Sequence, residues 1–160
     1  MTVQPEDISR ALSPKLQDKL LSVDPFPGTA GRIRFKSAAA LDLFPILKDQ
    51  LGFAHLSFVG GIDWVDHREV VYVLWSDAAK QYLLLSADVP ADSPHIETAT
   101  GTWPSANWHE RETWEMVGIL FDHHPDLRHL LLPDEYAFNP LVRSFKLHEP
   151  EELEVKTRHV

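Results

Sequence analysis

Residues 55–65, 69–75 and 81–89 form three strand-like runs, separated only by Asp66-His67-Arg68 and by Ser76-Asp77-Ala78-Ala79-Lys80. Connections this short have no room for a crossover helix, so the runs must pair as hairpins in an antiparallel meander. The second and third are apolar at successive positions (Val70 to Trp75; Tyr82 to Leu85). That pattern predicts central strands covered on both faces. Gly60-Gly61 in the first run predicts a bulge or a close backbone approach.

The flanking segments have to supply the cover. Residues 5–22 read as an interrupted helix: Ile8, Ala11 and Leu12 share a face, Ser13-Pro14 restarts the helix, and Leu16, Leu20 and Leu21 continue the stripe. Residues 31–36 alternate as a half-buried strand with Ile33 and Phe35 inward. Residues 37–51 return to helical spacing, with Pro45 as a kink or later start and Gly52 at the C-terminus. After a polar linker at 90–94, residues 95–101 suggest a short helix. Ser105 is placed to cap a helix over 106–117, with acidic residues near its start and Gly118 at its end. His124-Pro125 is a second break, and Pro133, Asn139-Pro140 and Pro150 keep the remainder extended. The expected fold is α+β: N-terminal helices, a mainly antiparallel sheet of about four strands, a charged helix after the sheet, and an extended C-terminal tail. Residues 1–147 make one domain, and 148–160 an acidic tail carrying Glu149, Glu151, Glu152 and Glu154.

At 160 residues with 44% hydrophobic and 24% charged side chains, the chain is long enough for one well-buried core. A net charge of −9 argues against nucleic acid and against an anionic membrane surface as partners. No apolar run reaches the roughly 20 residues of a membrane span, so direct membrane insertion is not expected. The acidic N-terminus lacks the pattern of a signal or transit peptide, and a cytoplasmic location fits. Without cysteine, the chain can form no disulfide and supply no thiolate to a zinc site or an iron–sulfur cluster.

The stretch 103–132 concentrates the chemistry. His109, His123, His124 and His129 lie beside Glu110, Glu112, Asp122 and Asp126, residue types that bind zinc or iron. They define one candidate, a stand-alone metallohydrolase. Against it, there is no His-Glu-x-x-His, and no three ligands share a helical face, so ordinary hydrogen-bonded histidines are the default. Glu110 and Glu112 point to different sides of a helix and suit ion pairing with Arg111 better than acid–base work. Arg111 and Arg128 could grip carboxylates bidentately. Trp103, Trp108 and Trp114 crowd around this charged helix, a composition favoured at protein interfaces. No serine sits in a nucleophile-elbow setting, and no glycine pattern forms a phosphate loop.

The ordered set Ala106-Asn107-Trp108, Glu110-Arg111-Glu112, Gly118-Ile119-x-Phe121, His124-Pro125-Asp126-Leu127-Arg128 and Leu130-Leu131 resembles the 30-kDa (C) subunit family of respiratory complex I, the proton-pumping NADH:quinone oxidoreductase. That family has counterparts in membrane-bound hydrogenases and other dehydrogenases. Gly61-Ile62-Asp63-Trp64 and Trp103-Pro104 add weaker support. The resemblance implies a non-catalytic structural subunit of the peripheral arm that binds no cofactor. NADH, quinone and iron–sulfur clusters (or nickel–iron) would be held by partner subunits. The implied partners are the large quinone-site (49-kDa-like) subunit and other peripheral-arm subunits, which would hold the chain at the cytoplasmic face of the membrane. Trp108 would belong to the interface motif, and Glu110, Arg111 and Glu112 would order the helix and its contacts. His124, Pro125, Asp126 and Arg128 would shape the turn, and Pro140, Arg143 and Phe145 would dock the tail. Three positions depart from the family pattern: Glu115 replaces an Asp, His129 replaces an Arg, and Pro140-Leu141-Val142-Arg143-Ser144-Phe145 lacks two usual charges.

Overall fold

The structure, a computed structural model, describes residues 2–147; the acidic tail expected over 148–160 lies outside the described residues. Helix α1 (Pro5–Leu16) leads into strand β1 (Leu20–Asp24) and strand β2 (Thr29–Lys36). Helix α2 (Ala40–Pro45) follows and passes at Pro45 into a wide turn over Ile46–Gln50. Strands β3 (His55–Asp63), β4 (His67–Ser76) and β5 (Gln81–Pro90) form the expected meander. A short strand β6 (His95–Glu97), helix α3 (Ala106–Val117) and strand β7 (Leu120–Asp122) complete the regular elements. The main sheet has the order β1-β2-β5-β4-β3, and β6 pairs with β7 in a separate ribbon. The fold is α+β with a mainly antiparallel five-stranded sheet. Its one parallel pair, β2 with β5, closes the meander onto the N-terminal hairpin.

Burial follows the pleat. Val70, Tyr72 and Leu74 on β4, and Leu83, Leu85, Ala87 and Val89 on β5, are buried. The alternating Val71, Val73, Trp75 and Leu84 are only half-buried, and Tyr82 is exposed. The helices therefore cover one face of the central strands, not both. Ile8, Leu12 and Leu16, at successive i, i+4 positions of α1, and Leu43, Phe44 and Leu47 from the α2 region fill that covered side. Phe44 lies at the centre of an aromatic chain, 5.3 Å from Tyr72, 5.4 Å from Trp103 and 6.1 Å from Phe35 between ring centroids.

Several local expectations are corrected. Helix α1 does not restart at Ser13-Pro14: Ser13 Oγ donates to the Ser9 carbonyl at 2.7 Å, and the helix continues through Pro14. Leu20 and Leu21 belong to a strand, because pairing of Leu20 with Phe35 and of Val23 with Ile33 outweighs the helical spacing. His95–Glu97 is a strand and not part of a helix, held parallel to Leu120–Asp122 with Ile96 and Phe121 turned inward. The bulge in β3 lies between Leu56 and Phe58. Gly61 marks a close approach instead, since a Cβ there would meet Ile119 Cδ1 at 2.8 Å and Thr113 Cγ2 at 3.1 Å.

Candidate functional site

Helix α3 packs on edge strand β3, and its residue pattern separates into a buried polar set and an exposed face. Ser105 does not cap the helix: it is already helical (φ −62°, ψ −19°), and its hydroxyl donates to the Leu56 carbonyl at 3.3 Å. Nor are there acidic side chains in the first turn. At the other end Gly118 adopts the left-handed conformation (φ 74°), as expected of a helix terminator. Asn139 Nδ2 donates to the carbonyls of Trp114 (3.0 Å) and Glu115 (2.9 Å), and Arg68 Nη1 donates to the Gly118 carbonyl (3.0 Å). Backbone acceptors left over at the helix end thus find partners.

Glu110 is fully buried. Its Oε1 accepts the Ala99 N–H at 2.7 Å and its Oε2 accepts the Thr98 hydroxyl. Burial pushes its carboxyl from 4.5 up to about 7, against the pull of those two donors. The Tyr72 hydroxyl, also buried, has no hydrogen-bond partner among the described residues, and burial raises it well above its ordinary range. Glu115, also fully buried, behaves differently. It accepts the N–H groups of Leu130 (2.9 Å), Leu131 (3.0 Å) and Leu132 (3.3 Å), and lies 3.3 Å from His129 Nδ1. Burial pushes its carboxyl up, but the combined donors outweigh that, and it sits below its ordinary range.

Arg111 is buried and does not ion-pair with its neighbours Glu110 and Glu112. Its Nε donates to the Arg128 carbonyl at 3.0 Å and its Nη2 to the His129 carbonyl at 2.7 Å; the nearest carboxylate, of Asp126, is 3.8 Å away. One helical turn apart, Arg111 and Glu115 clasp the segment 128–132 from its carbonyl and N–H sides respectively. This explains why Glu115, on the same helix face as Trp108, is buried while Trp108 is 68% exposed. Glu112 is exposed and makes no hydrogen bond or ion pair among the described residues.

The four histidines do not come together. His109 packs edge-on to Phe58, with centroids 6.0 Å apart, and His123 pairs with Glu97 at 3.0 Å. His129 approaches Glu115, and its ring lies 5.0 Å from that of Trp114. The His124 side chain is fully buried. It accepts the Asp126 N–H at Nδ1 (3.1 Å), and its Nε2 is 3.1 Å from the Asn107 carbonyl, which selects the neutral Nε2–H tautomer. Burial holds its pKa below the ordinary value. Among the described residues no three His, Asp or Glu side chains gather as a metal-ligating set. The metallohydrolase reading has no geometric support.

Around the turn, Arg128 Nε reaches both Asp126 oxygens (2.9 and 3.0 Å) at the surface, and Pro125 is exposed. In the tail, the Leu141 N–H donates to the Met116 carbonyl at 2.9 Å, beside half-buried Pro140. The Arg143 N–H donates to Asp63 Oδ2 at 2.8 Å, and this bond holds the Asp63 carboxyl below its usual range. The Arg143 guanidinium stands 5.9 Å over the Trp64 ring, and Phe145 contacts Phe138. Sequence reasoning missed Thr98, Ala99, Asn139 and Arg68, the partners that fix α3. Only Asn139 carried a signal, as a polar residue before proline, and that signal reads as a turn.

In this small α+β domain Glu110, Arg111 and Glu115 fasten helix α3 to the segments on either side of it. A family model described as the 30-kDa subunit of respiratory-chain NADH dehydrogenase matches residues 33–151. The C subunit of the NADH-quinone oxidoreductase of Geobacter sulfurreducens is 32% identical over 151 residues, covering 92% of this chain and 93% of that protein. The C subunit of the F(420)H(2) dehydrogenase of Methanosarcina mazei is 43% identical over 98 residues, 60% of this chain and 62% of that protein. The trypsin-resistant fragment (1–134) of Nqo5 superposes with a TM-score of 0.63 at 26% identity, covering 75% of this chain and 98% of the fragment. A chain of the archaeal membrane-bound sulfane sulfur reductase shares the fold, with a TM-score of 0.77 at 16% identity over 97% of this chain and 94% of that one. The chain belongs to the 30-kDa subunit family of respiratory-chain NADH dehydrogenases.

Proposed function

We propose that the chain is a non-catalytic structural subunit of the peripheral arm of a membrane-associated NADH:quinone oxidoreductase. Its partner is the large quinone-site (49-kDa-like) subunit, with other peripheral-arm subunits around it. NADH, quinone and the iron–sulfur clusters belong to those partners, and this chain binds none. No helix among the described residues is long and apolar enough to cross a membrane. The chain reaches the cytoplasmic face of the membrane through the complex.

The observation that carries this reading is the division of labour on α3. Glu110, Arg111 and Glu115 are consumed internally, while Trp108 (68% exposed), Glu112, Arg128 and Leu131 (63% exposed) are left on the surface beside them. An exposed Trp on α3 and an exposed Arg on the segment that Arg111 and Glu115 fasten to it are residue types enriched at interface hot spots. Co-expression with its genomic neighbours should yield a complex containing a catalytic subunit; purification of the chain alone would sink the proposal. The equivalent subunit of a complex with another electron donor is the second reading, favoured by the identity to the F(420)H(2) dehydrogenase subunit. The nature of the co-purified electron-input subunit decides between them.

A further inference from the structure

We propose that Glu110 is a buried proton-binding site that exchanges with solvent through the hydroxyls of Thr98 and Thr100. Its occupancy would then govern how the turn 98–100 closes onto helix α3. This goes beyond the docking reading and is tested on the chain alone.

The geometry has three parts. The carboxyl is fully buried, yet its Oε2 accepts the Thr98 hydroxyl, and Thr98 Oγ1 lies 2.9 Å from Thr100 Oγ1, where either oxygen can be the donor. Both threonines are partly exposed and line a surface pocket of about 400 Å³ with Gly101, Asn107, His123 and Pro125. A hydroxyl both donates and accepts, so this pair can serve either charge state of the carboxyl. With Glu110 ionised, Thr100 donates to Thr98 and Thr98 to Glu110. On uptake, water in the pocket delivers a proton to Thr100 Oγ1, Thr100 passes its own to Thr98, and Thr98 passes its own to Glu110 Oε2. One proton enters, both hydroxyls are restored, and the hydrogen bonds reverse direction.

The other groups facing the carboxyl leave that task to it. His124 Nε2 lies 3.8 Å away, but its tautomer is fixed by the Asp126 N–H, with Arg111 disfavouring and Asp126 favouring its charge. Glu97 of β6 disfavours ionisation of Glu110, and is itself paired with His123. Tyr72 of β4 stays neutral. No lysine or arginine forms a salt bridge with Glu110 among the described residues.

The Ala99 N–H donates to Glu110 Oε1 at 2.7 Å and so reports the charge of the carboxyl. In a pH series on the full chain, followed by amide NMR, the Ala99 resonance should titrate with a midpoint of about 7. Glu110→Gln should abolish that titration. Thr98→Val, which removes a donor to the carboxylate, should move the midpoint upward. A flat Ala99 resonance across neutral pH overturns the site, and an unmoved midpoint in Thr98→Val overturns the route. Should Glu110→Gln fail to fold, the side-chain carbon resonance of Glu110 in the unaltered chain decides: a midpoint near the ordinary 4.5 refutes the proposal, and one near 7 upholds it.

Discussion

Glu110 and Glu115 stand on the same helix, both fully buried, and are driven in opposite directions: one up to about 7, the other below its ordinary value. Two things separate them: Glu110 is set deeper in the protein, and it has fewer donors. Glu110 faces the turn before the helix, where it meets one N–H and one hydroxyl. Glu115 faces the segment after the helix, where three consecutive N–H groups and an imidazole converge on it. Burial penalises both charges, more heavily at Glu110, and the backbone donors around Glu115 outweigh the smaller penalty there. The N-terminal support of α3 is therefore sensitive to pH near neutrality, whereas its C-terminal support depends on a carboxylate that stays charged.

The comparison breaks first at Glu115. Glu115→Ala would leave the N–H groups of Leu130, Leu131 and Leu132 without their acceptor, at a cost of about 4 kcal/mol. Urea unfolding measures it, and amide exchange should speed up at these three residues first. A loss below about 1 kcal/mol would mean that the segment holds itself. Arg111→Ala removes two charge-assisted hydrogen bonds to the same segment and should cost about 3 kcal/mol. Arg111→Lys recovers only part of this, since an ammonium lacks the planar fork that reaches both carbonyls.

The third test sharpens the contrast by sign. A raised carboxyl gives stability that is present below its unfolded value, 4.5, and lost as pH rises through about 7. Glu110→Gln should thus gain about 2 kcal/mol over the unaltered chain on going from mildly acid to mildly alkaline pH, read as the difference between two denaturation series. For Glu115, lowered, the sign reverses: its contribution is present above 4.5 and lost as pH falls through its folded value. Parallel difference curves for the two substitutions would refute the donor argument.

The meander was legible because strand pairing across short turns is a local matter, and Gly118 was legible because a left-handed helix end needs a glycine. What could not be read depends on distant partners. Leu20 and Leu21 keep helical spacing until β2 is there to pair with Leu20, Leu21 lying at the bulge, and the parallel contact of β2 with β5 joins residues more than 50 apart. The Glu110-Arg111-Glu112 triplet reads as an ion-pair cluster along the chain. Its members go to different destinations because segment 98–99 meets the helix at Glu110 and segment 128–132 meets it at Arg111. The family resemblance singled out the stretch 103–132, but it could not say which of its residues face inward.

That division can be tested at Trp108. Truncating a side chain that is 68% exposed should change stability by no more than about 0.5 kcal/mol. If the exposed face of α3 is where the large subunit docks, Trp108→Ala should keep the unfolding midpoint of the isolated chain while co-purifying partner falls at least about tenfold, as expected of a hot-spot tryptophan. Full retention of the partner by a normally folded Trp108→Ala chain would contradict the account.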